Sequence, residues 1–196
     1  VGLDYQNPNL SHYEEIQRFK HHPSIAKVLK DGKRIAYGAR ALSEGGIQSV
    51  PKLTFPGGLL IGDAAGFLNV PKIKGNHTAM KSGMVAAKAV YDHLTLGYDS
   101  NEVTGYTAHL QRSWLWKELD GVRNIRPAFR FGLWLGMLYA AFDNVILRGN
   151  APWTLKNHAD HTQLKKASAC KKIDYPKPDG VLSFDRLTSV SLTGTN

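Results

Sequence analysis

The sequence predicts a mixed α/β (α+β) fold, and one stretch, between Gly57 and Leu94, carries most of that prediction. In it, a short apolar run at Leu59–Ile61 is followed by a glycine-bearing loop and then by a helical pattern from His77 onward. A short run that is apolar throughout is typical of a strand buried on both faces of a sheet. Strand, loop and helix in this order form the unit from which α/β folds are built.

The helix predicted from His77 has two kinds of apolar residue. Met80, Met84 and Tyr91 recur at helical spacing, as expected of a helix with one apolar face. Small residues fill much of the remaining sequence and suit close packing on a sheet; they are Ala79, Ser82, Gly83, Ala86 and Ala87.

Further elements are predicted on the N-terminal side of this stretch. Ser11 and Glu14 have the spacing of a capping box, which predicts a helix to about Lys20. A second short helix is expected over 23–30, and Asp31-Gly32 ends it. Extended segments are expected over 33–42, with an interruption at Gly38, and over 47–55, where Pro51 intervenes.

A single long helix is predicted over 102–120, with Ser100 or Asn101 as its cap. Trp114 and Trp116 make this helix unusually aromatic. Because aromatic residues at helical spacing are most often part of a core, we interpret them as packing residues.

The loop that follows the predicted strand contains the first candidate site. Gly62-Asp63 ends the strand, and a carboxylate at that point of an open sheet lies where such sheets bind ligands. Asp63 could accept hydrogen bonds from sugar or polyol hydroxyls, or it could simply cap a turn. The start of the helix, at Gly75–Thr78, has unpaired N–H groups and suits an acceptor-rich ligand.

A long apolar run forms the second candidate site. From Phe131 to Phe142 no residue is charged, and Asp143-Asn144 interrupts the run before it reaches the roughly 20 residues of a spanning helix. Two interpretations remain, a buried helix or a helix in the membrane interface. Four flanking arginines and nearby Trp and Tyr side chains favour the interface.

The composition narrows the choice of partners. A formal charge of +9 and a pI near 9.6 favour nucleic acid, anionic lipid or an acidic protein. No nucleic-acid-binding motif is present, so nucleic acid is not expected as a partner. The histidine pairs at 21–22 and 158–161 lack metal-site spacing, and no metal site is predicted. The single cysteine, Cys170, cannot hold an iron–sulfur cluster, which needs about four thiolates.

The segment 57–94 resembles the second flavin-contacting segment of FAD enzymes of the glutathione-reductase and hydroxylase type. It is more similar still to the electron transfer flavoprotein–ubiquinone oxidoreductases, in which GFxNVPKIKG followed by HTAMKSG is close to a signature. Here these motifs stand at Gly66–Gly75 and His77–Gly83. The segments around VRNIRP, ILRGNAPWTLK and IDYPKPDG continue the resemblance. Asp63 departs from it, since many members have Cys there.

The resemblance implies roles for two sets of residues. In the first set, Asp63 would hold the ribityl chain of FAD, and Asn69 and Thr78 are candidates to hydrogen-bond its ring. The complete set of expected FAD contacts is Gly62, Asp63, Ala64, Asn69, Pro71, Gly75, Asn76, His77 and Thr78. The second set is expected to face the membrane and the quinone: Phe129, Phe131, Trp134, Leu135, Leu138, Tyr139 and Phe142.

The resemblance also implies a function and an organisation. Electrons would pass from reduced electron transfer flavoprotein, by way of FAD and a [4Fe–4S] cluster, to ubiquinone. The protein would lie on the mitochondrial inner membrane, on its matrix side, or on a bacterial cytoplasmic membrane. The expected parts are a quinone-binding sheet region (1–50), the second half of an FAD domain (51–122), a membrane-surface region (123–155) and a basic linker (156–196). The cluster ligands would follow that linker.

Other interpretations of the sequence remain open. Val1 is not a Met and no GxGxxG fingerprint is present, so we expect an internal piece of a longer polypeptide. One alternative is another FAD-dependent reductase or monooxygenase of the same superfamily. Another is that the isolated piece is a non-catalytic membrane-binding module.

Overall fold

The computed structural model describes residues 2–194 and is rich in helices. Its described part contains one sheet, an antiparallel pair of two-residue strands. The chain divides into two compact units. The first consists of the described residues within 1–40 and 158–196, and the second is 41–157. The expectation of a mixed fold with both α and β elements is confirmed in this general form.

The first unit is built on three helices: α1 (His12–Phe19), α2 (Pro23–Leu29) and α8 (Arg186–Val190). The Ser11 half of the predicted capping box of α1 and the proline start of α2 are confirmed. The Ser11 hydroxyl accepts a hydrogen bond from the Glu14 N–H. The N–H of Ser11 itself donates to the hydroxyl of Tyr175, at 3.0 Å, so a distant side chain does what the second half of a capping box would do.

The strand predicted over 33–42 is not formed among the described residues. The segment is irregular, and its backbone contact within the unit is a hydrogen bond of 3.1 Å from the Tyr37 N–H to the Leu192 carbonyl. A strand depends on a neighbouring strand for its backbone hydrogen bonds. No neighbouring strand lies beside this segment in the described part of the chain.

The second unit has its core between helices. Its elements are a 3₁₀ turn (Gly46–Ser49), β1 (Thr54–Phe55), β2 (Gly58–Leu59), a 3₁₀ turn (Gly62–Ala65), α3 (Asn76–Thr95), α4 (Gly105–Gln111) and α5 (Trp114–Gly121). The largest fully buried side chains of its core are those of Tyr106, Phe67, Leu110, Leu115 and Leu119. The Tyr106 hydroxyl donates to the Leu60 carbonyl, and burial raises the pKa of this phenol to about 12.

The predicted strand at Leu59–Ile61 is largely wrong. The pairing is a tight hairpin in which Thr54 faces Leu59 and Phe55 faces Gly58, and Ile61 is exposed. The hairpin accounts for the pattern, because an apolar run cannot distinguish a central parallel strand from one arm of a small antiparallel pair.

Helix α3 begins at Asn76, one residue before its predicted start. Its inward face is made of Thr78, Ser82, Ala86 and Ala89. These residues pack against α4 and the Gly62–Ala65 turn, not against a sheet as predicted. The larger residues that the helical spacing suggested as an apolar face, among them Met84, point to solvent.

The helix predicted over 102–120 is broken into α4 and α5. Ser113 is extended, with a ψ of 160°, and its hydroxyl donates to the Leu110 carbonyl at 2.6 Å. A serine that bonds the backbone of the preceding turn competes with helix continuation. Sequence reasoning had placed Ser113 inside the helix.

The predicted apolar helix is also divided. It consists of α6 (Ile125–Ala128), a 3₁₀ turn (Phe129–Phe131), α7 (Leu133–Phe142) and a π-helical turn (Asp143–Leu147). Gly132, at a φ of 97°, makes the corner before α7. No helix among the described residues is long and apolar enough to cross a membrane.

Candidate functional site

Two regions of the second unit contain the residues expected to be functional. We call residues 62–78 the glycine loop and residues 125–148 the apolar hairpin. The glycine loop begins with a turn that is fastened to α3, since the Gly62 N–H donates to the Ser82 hydroxyl at 2.9 Å. Gly62 has a φ of 55°, and a Cβ at this position would lie 3.3 Å from that of Ala79. The left-handed conformation and the close helix together favour glycine.

Asp63 lies beside the start of α3. Its side chain is exposed and has no hydrogen bond to any described residue. A Cβ on Gly75 would lie 3.0 Å from the Asp63 carboxylate and 3.2 Å from the Leu68 side chain, so Gly75 allows the carboxylate to approach the helix start. A free acceptor therefore stands next to the N–H groups of a helix N-terminus.

The middle of the loop is a tight turn held by its backbone. Asn69 and Lys74 exchange two hydrogen bonds, of 2.9 and 3.3 Å, between their N–H and carbonyl groups. Ile73, at the tip of this turn, is 77% exposed and has a φ of 51°. A β-branched residue in the left-handed region is strained, and such strain persists only where the surrounding structure enforces it.

Asn69 and Thr78 are turned into the protein. Both are fully buried. The Thr78 hydroxyl contacts the Phe67 carbonyl and lies 2.8 Å from the Gly75 carbonyl. In this arrangement the two side chains shape the loop. The hydrogen bonds expected from them to a flavin ring stay a prediction, and they would require these contacts to be exchanged.

One carboxylate on α5 connects three parts of the loop. Oε1 of Glu118 accepts hydrogen bonds from Asn69 Nδ2 at 2.7 Å, Lys72 Nζ at 3.0 Å and His77 Nε2 at 2.9 Å. Burial raises the pKa of the Glu118 carboxyl, but the hydrogen bonds from these three groups outweigh burial and bring the pKa to about 2. Trp114 lies one helical turn before Glu118, and its ring is stacked on that of His77, with 5.8 Å between the ring centroids.

Sequence reasoning did not identify Glu118. It follows Asn69 by 49 residues and His77 by 41, so no local motif joins them. The available signal was the spacing of Trp114 and Glu118, which places both on one face of a helix. The other expected FAD contacts, Ala64, Pro71 and Asn76, are exposed along the loop.

The apolar hairpin presents its large side chains to solvent. Trp134 is 76% exposed and Leu138 is 68% exposed. The exposed apolar residues of the hairpin are Phe129, Phe131, Leu133, Trp134, Leu135, Met137, Leu138, Phe142, Val145 and Ile146. Six of the seven residues expected to face a membrane are in this set. The seventh, Tyr139, is half-buried, and its hydroxyl accepts a hydrogen bond from the Trp153 indole at 2.7 Å.

The hairpin packs on itself through one glycine. Gly136 is the buried residue of α7, and a Cβ there would lie 2.7–2.9 Å from the ring and Cα of Phe129. Since α7 folds back closely on the preceding turn at this point, its remaining faces are left open. An exposed apolar area of this kind on a protein marks an interaction surface.

A polar clamp closes the base of the hairpin. The Arg123 guanidinium donates to the carbonyl oxygens of Gly149, Ala151 and Trp153, at 3.3, 2.6 and 3.4 Å. The carboxamide of Asn124 binds the same returning segment at both of its polar atoms. These contacts satisfy the irregular backbone at the point where the chain leaves the hairpin.

Asp143, at the end of α7, is buried within the hairpin. Burial raises the pKa of its carboxyl, and the nearby Arg123 charge opposes that rise. One of its oxygens has no hydrogen-bond partner. The residue that interrupts the apolar run in the sequence is therefore turned away from the exposed apolar surface.

Comparison with known proteins shows which proteins this chain resembles in sequence. Residues 1–42 match a family described as ETF-QO, ubiquinone-binding. The whole chain is 59% identical to the mouse mitochondrial electron transfer flavoprotein-ubiquinone oxidoreductase, 58% to the human protein and 52% to the probable yeast protein. The chain is homologous to these oxidoreductases throughout its length. It covers 33% of the mouse and human proteins and 34% of the yeast protein, about a third of the length of the relatives it matches.

Proposed function

We propose that the chain is part of an FAD-dependent oxidoreductase that passes electrons from reduced electron transfer flavoprotein to ubiquinone at a membrane surface. The observation that carries this proposal is the similarity to electron transfer flavoprotein-ubiquinone oxidoreductases along the whole chain. The mouse, human and yeast relatives are named as mitochondrial proteins. For this chain we propose attachment to the matrix face of the mitochondrial inner membrane or to a bacterial cytoplasmic membrane.

The glycine loop supplies a donor and acceptor set that fits FAD. The Asp63 carboxylate is exposed and unpaired among the described residues, so it can accept hydrogen bonds from the hydroxyls of a ribityl chain. Beside it, the first N–H groups of α3 favour negative charge. Gly75 leaves the space between them that a side chain would fill. We infer that this part of the chain completes an FAD-binding fold of the glutathione-reductase type.

In this proposal the protein's own groups have limited tasks. FAD, when bound, supplies the electron-accepting and electron-donating chemistry. The residues of the loop position it, and the N–H groups at Gly75–Thr78 stabilise negative charge at its pyrimidine end. The backbone at Gly62, Ala64 and Pro71 lines the approach. A [4Fe–4S] cluster needs about four thiolates, and Cys170 is the single cysteine of this chain, so these residues alone do not hold the cluster of the family.

The apolar hairpin provides the surface toward lipid and quinone. Ubiquinone has a very apolar tail, so its site must open toward the hydrocarbon part of a membrane. Exposed Phe, Trp and Leu side chains on α7, with arginines at both ends of the hairpin, have the composition of a segment that lies in the interface without crossing it. A formal charge of +9 adds attraction to anionic lipid.

The test is a visible absorption spectrum, with iron analysis, of the polypeptide that carries this sequence, purified from its membranes. We expect flavin bands over a broad iron–sulfur background, both bleached by reductant and restored by a quinone. Flavin without iron would contradict the ubiquinone oxidoreductase assignment and favour another FAD-dependent reductase. The absence of any chromophore would leave a membrane-binding module as the description of this chain.

A further inference from the structure

We propose that Glu118 is the positioning residue of the glycine loop, and that its charge, together with that of Lys72, adjusts the electrostatic potential at the start of α3. This inference deepens the proposed function and rests on it. Glu118 itself lies on α5, outside the loop expected to contact FAD, and it acts through residues of that loop.

We call the three hydrogen bonds that Glu118 accepts the Glu118 clamp, and their geometry supports a positioning role. A single oxygen of Glu118 accepts from a fully buried amide (Asn69), an ammonium (Lys72) and an imidazole (His77), all between 2.7 and 3.0 Å. These three groups all lie between positions 69 and 77, in the middle and second half of the loop. Hydrogen bonds to a charged acceptor are stronger than neutral ones, so one carboxylate holds this part of the loop.

The strained turn at Ile73 also supports a positioning role. Ile73 is held at a φ of 51° while most of its side chain faces solvent, so its own packing cannot enforce that conformation. Lys72, its immediate neighbour, is anchored to Glu118. We therefore attribute the shape of the turn to the clamp and to the backbone pair of Asn69 and Lys74.

The position of His77 links the Glu118 clamp to the helix start. It lies in the first turn of α3, where the proposed flavin contacts begin. Glu118 holds one nitrogen of its ring, and Trp114 covers a face of that ring in a nearly parallel stack, with 5° between the planes. Helix α5 therefore fixes the orientation of the N-terminus of α3 from the side.

The clamp also has an electrostatic consequence. The pKa of the Glu118 carboxyl is about 2, so this group is ionised at neutral pH. Removing the carboxylate leaves the Lys72 ammonium unbalanced beside the helix start, whereas removing the ammonium leaves the carboxylate unbalanced. More positive charge there favours reduced flavin, which is the more negative form, and more negative charge disfavours it.

The experiment compares Glu118→Gln and Lys72→Met in the complete, flavin-containing protein. Both remove one partner of the clamp, but they change its charge in opposite directions. We expect Glu118→Gln to raise the preference for reduced over oxidised FAD about tenfold, which is about 30 mV for a two-electron couple. We expect Lys72→Met to lower it, and spectroelectrochemical titration measures both. Shifts in the same direction, or none, would overturn the electrostatic role.

The positioning role has a readout that needs no flavin. In the ligand-free protein, we expect amide hydrogen exchange over 69–78 to become at least tenfold faster in Glu118→Gln. The matched control is Glu102→Gln, because the Glu102 carboxylate also accepts from a lysine and a hydroxyl, Lys52 and Thr54, and belongs to the same unit. Equal exchange in the two variants would overturn the positioning role.

Failure of this inference can be told apart from failure of the proposed function. If the wild-type protein holds no flavin, the proposed function fails. The exchange experiment still decides whether Glu118 positions the loop.

Discussion

Helices α3 and α7 both expose large apolar side chains, to nearly the same degree: Met84 is 67% exposed and Leu138 is 68% exposed. They differ in what lies between those side chains. On α3 the exposed apolar residues form a stripe that alternates with charged residues such as Lys88 and Asp92, which pair with each other. On α7 no charged residue interrupts the surface. The two helices therefore show that exposed side chains of equal exposure can belong to surfaces of different character, one mixed with charges and one entirely apolar.

The inward faces of the two helices differ as well. Helix α3 turns a row of small and hydroxyl residues inward and is covered along that face. Helix α7 buries a single glycine, Gly136, against the preceding turn. We therefore expect substitutions of the exposed residues of α7 to affect membrane attachment and substitutions on the inward face of α3 to affect folding.

The largest expected effect separates the two exposed surfaces. We expect Leu138→Asp to weaken binding to anionic phospholipid vesicles on the order of 100-fold, because it removes a large apolar group worth about 1.5–3 kcal/mol and adds a like-charged group at the lipid surface. Met84→Asp, at a matched exposure, should change binding less than about twofold. Vesicle co-sedimentation measures both. Equal losses would mean that the two helices face the same environment.

The next effect applies one substitution to both helices. We expect Gly136→Ala to lower the free energy of unfolding by about 2 kcal/mol, because the added Cβ would overlap Phe129. Gly83→Ala on α3, where a Cβ meets nothing within 4 Å, should raise it by about 0.5–1 kcal/mol, since Ala is the better helix former. Urea unfolding gives both values, and a change of the same sign in the two variants would contradict the described packing of α7.

A smaller effect concerns the inward face of α3. Ser82→Ala removes the acceptor of the buried Gly62 N–H, so we expect a loss of about 1 kcal/mol in the free energy of unfolding. Ser82→Thr keeps the hydroxyl and serves as the control for the hydrogen bond. If Ser82→Ala unfolds at the wild-type urea concentration, the turn is not fastened to α3 through this contact.

The smallest effect is a dependence of stability on pH. The folded-state pKa of Glu118, about 2, lies below its ordinary value of 4.5, so its contribution is present above about pH 4.5 and is lost as the pH falls toward 2. We expect the stability difference between wild type and Glu118→Gln to shrink over this range. Urea midpoints at several pH values measure it, and a difference independent of pH would contradict an ionised clamp.

Local signals predicted part of the local structure of this chain. The cap at Ser11 and the start of α3 follow from residues that contact their own neighbours in sequence. The exposed aromatic residues of the hairpin follow from an uninterrupted run of apolar letters. In each case, the residues that make up the sequence pattern lie within a few positions of one another.

Long-range partners explain what the sequence did not predict. The segment 33–42 has a strand-like pattern, but a strand needs a neighbour. The break at Ser113 is an exception, because the Ser113 hydroxyl bonds the carbonyl of Leu110 only three residues earlier and the helical pattern did not reveal this local competition. Glu118 meets Asn69 and His77 only because α5 packs beside the loop, and no residue of the loop indicates which helix will do so.

Trp134 and Trp114 are intrinsic fluorescence probes of two different regions of the protein. Trp134 stands at the outer surface of the apolar hairpin, so its emission shifts to shorter wavelength when water around the indole is replaced by lipid. Trp114 is stacked on His77 beside the glycine loop, where its emission is sensitive to quenching by the imidazole and by any chromophore that binds there. Replacing one or the other by Phe assigns each signal, so attachment to a bilayer and occupation of the loop can be followed separately in a single unlabelled sample.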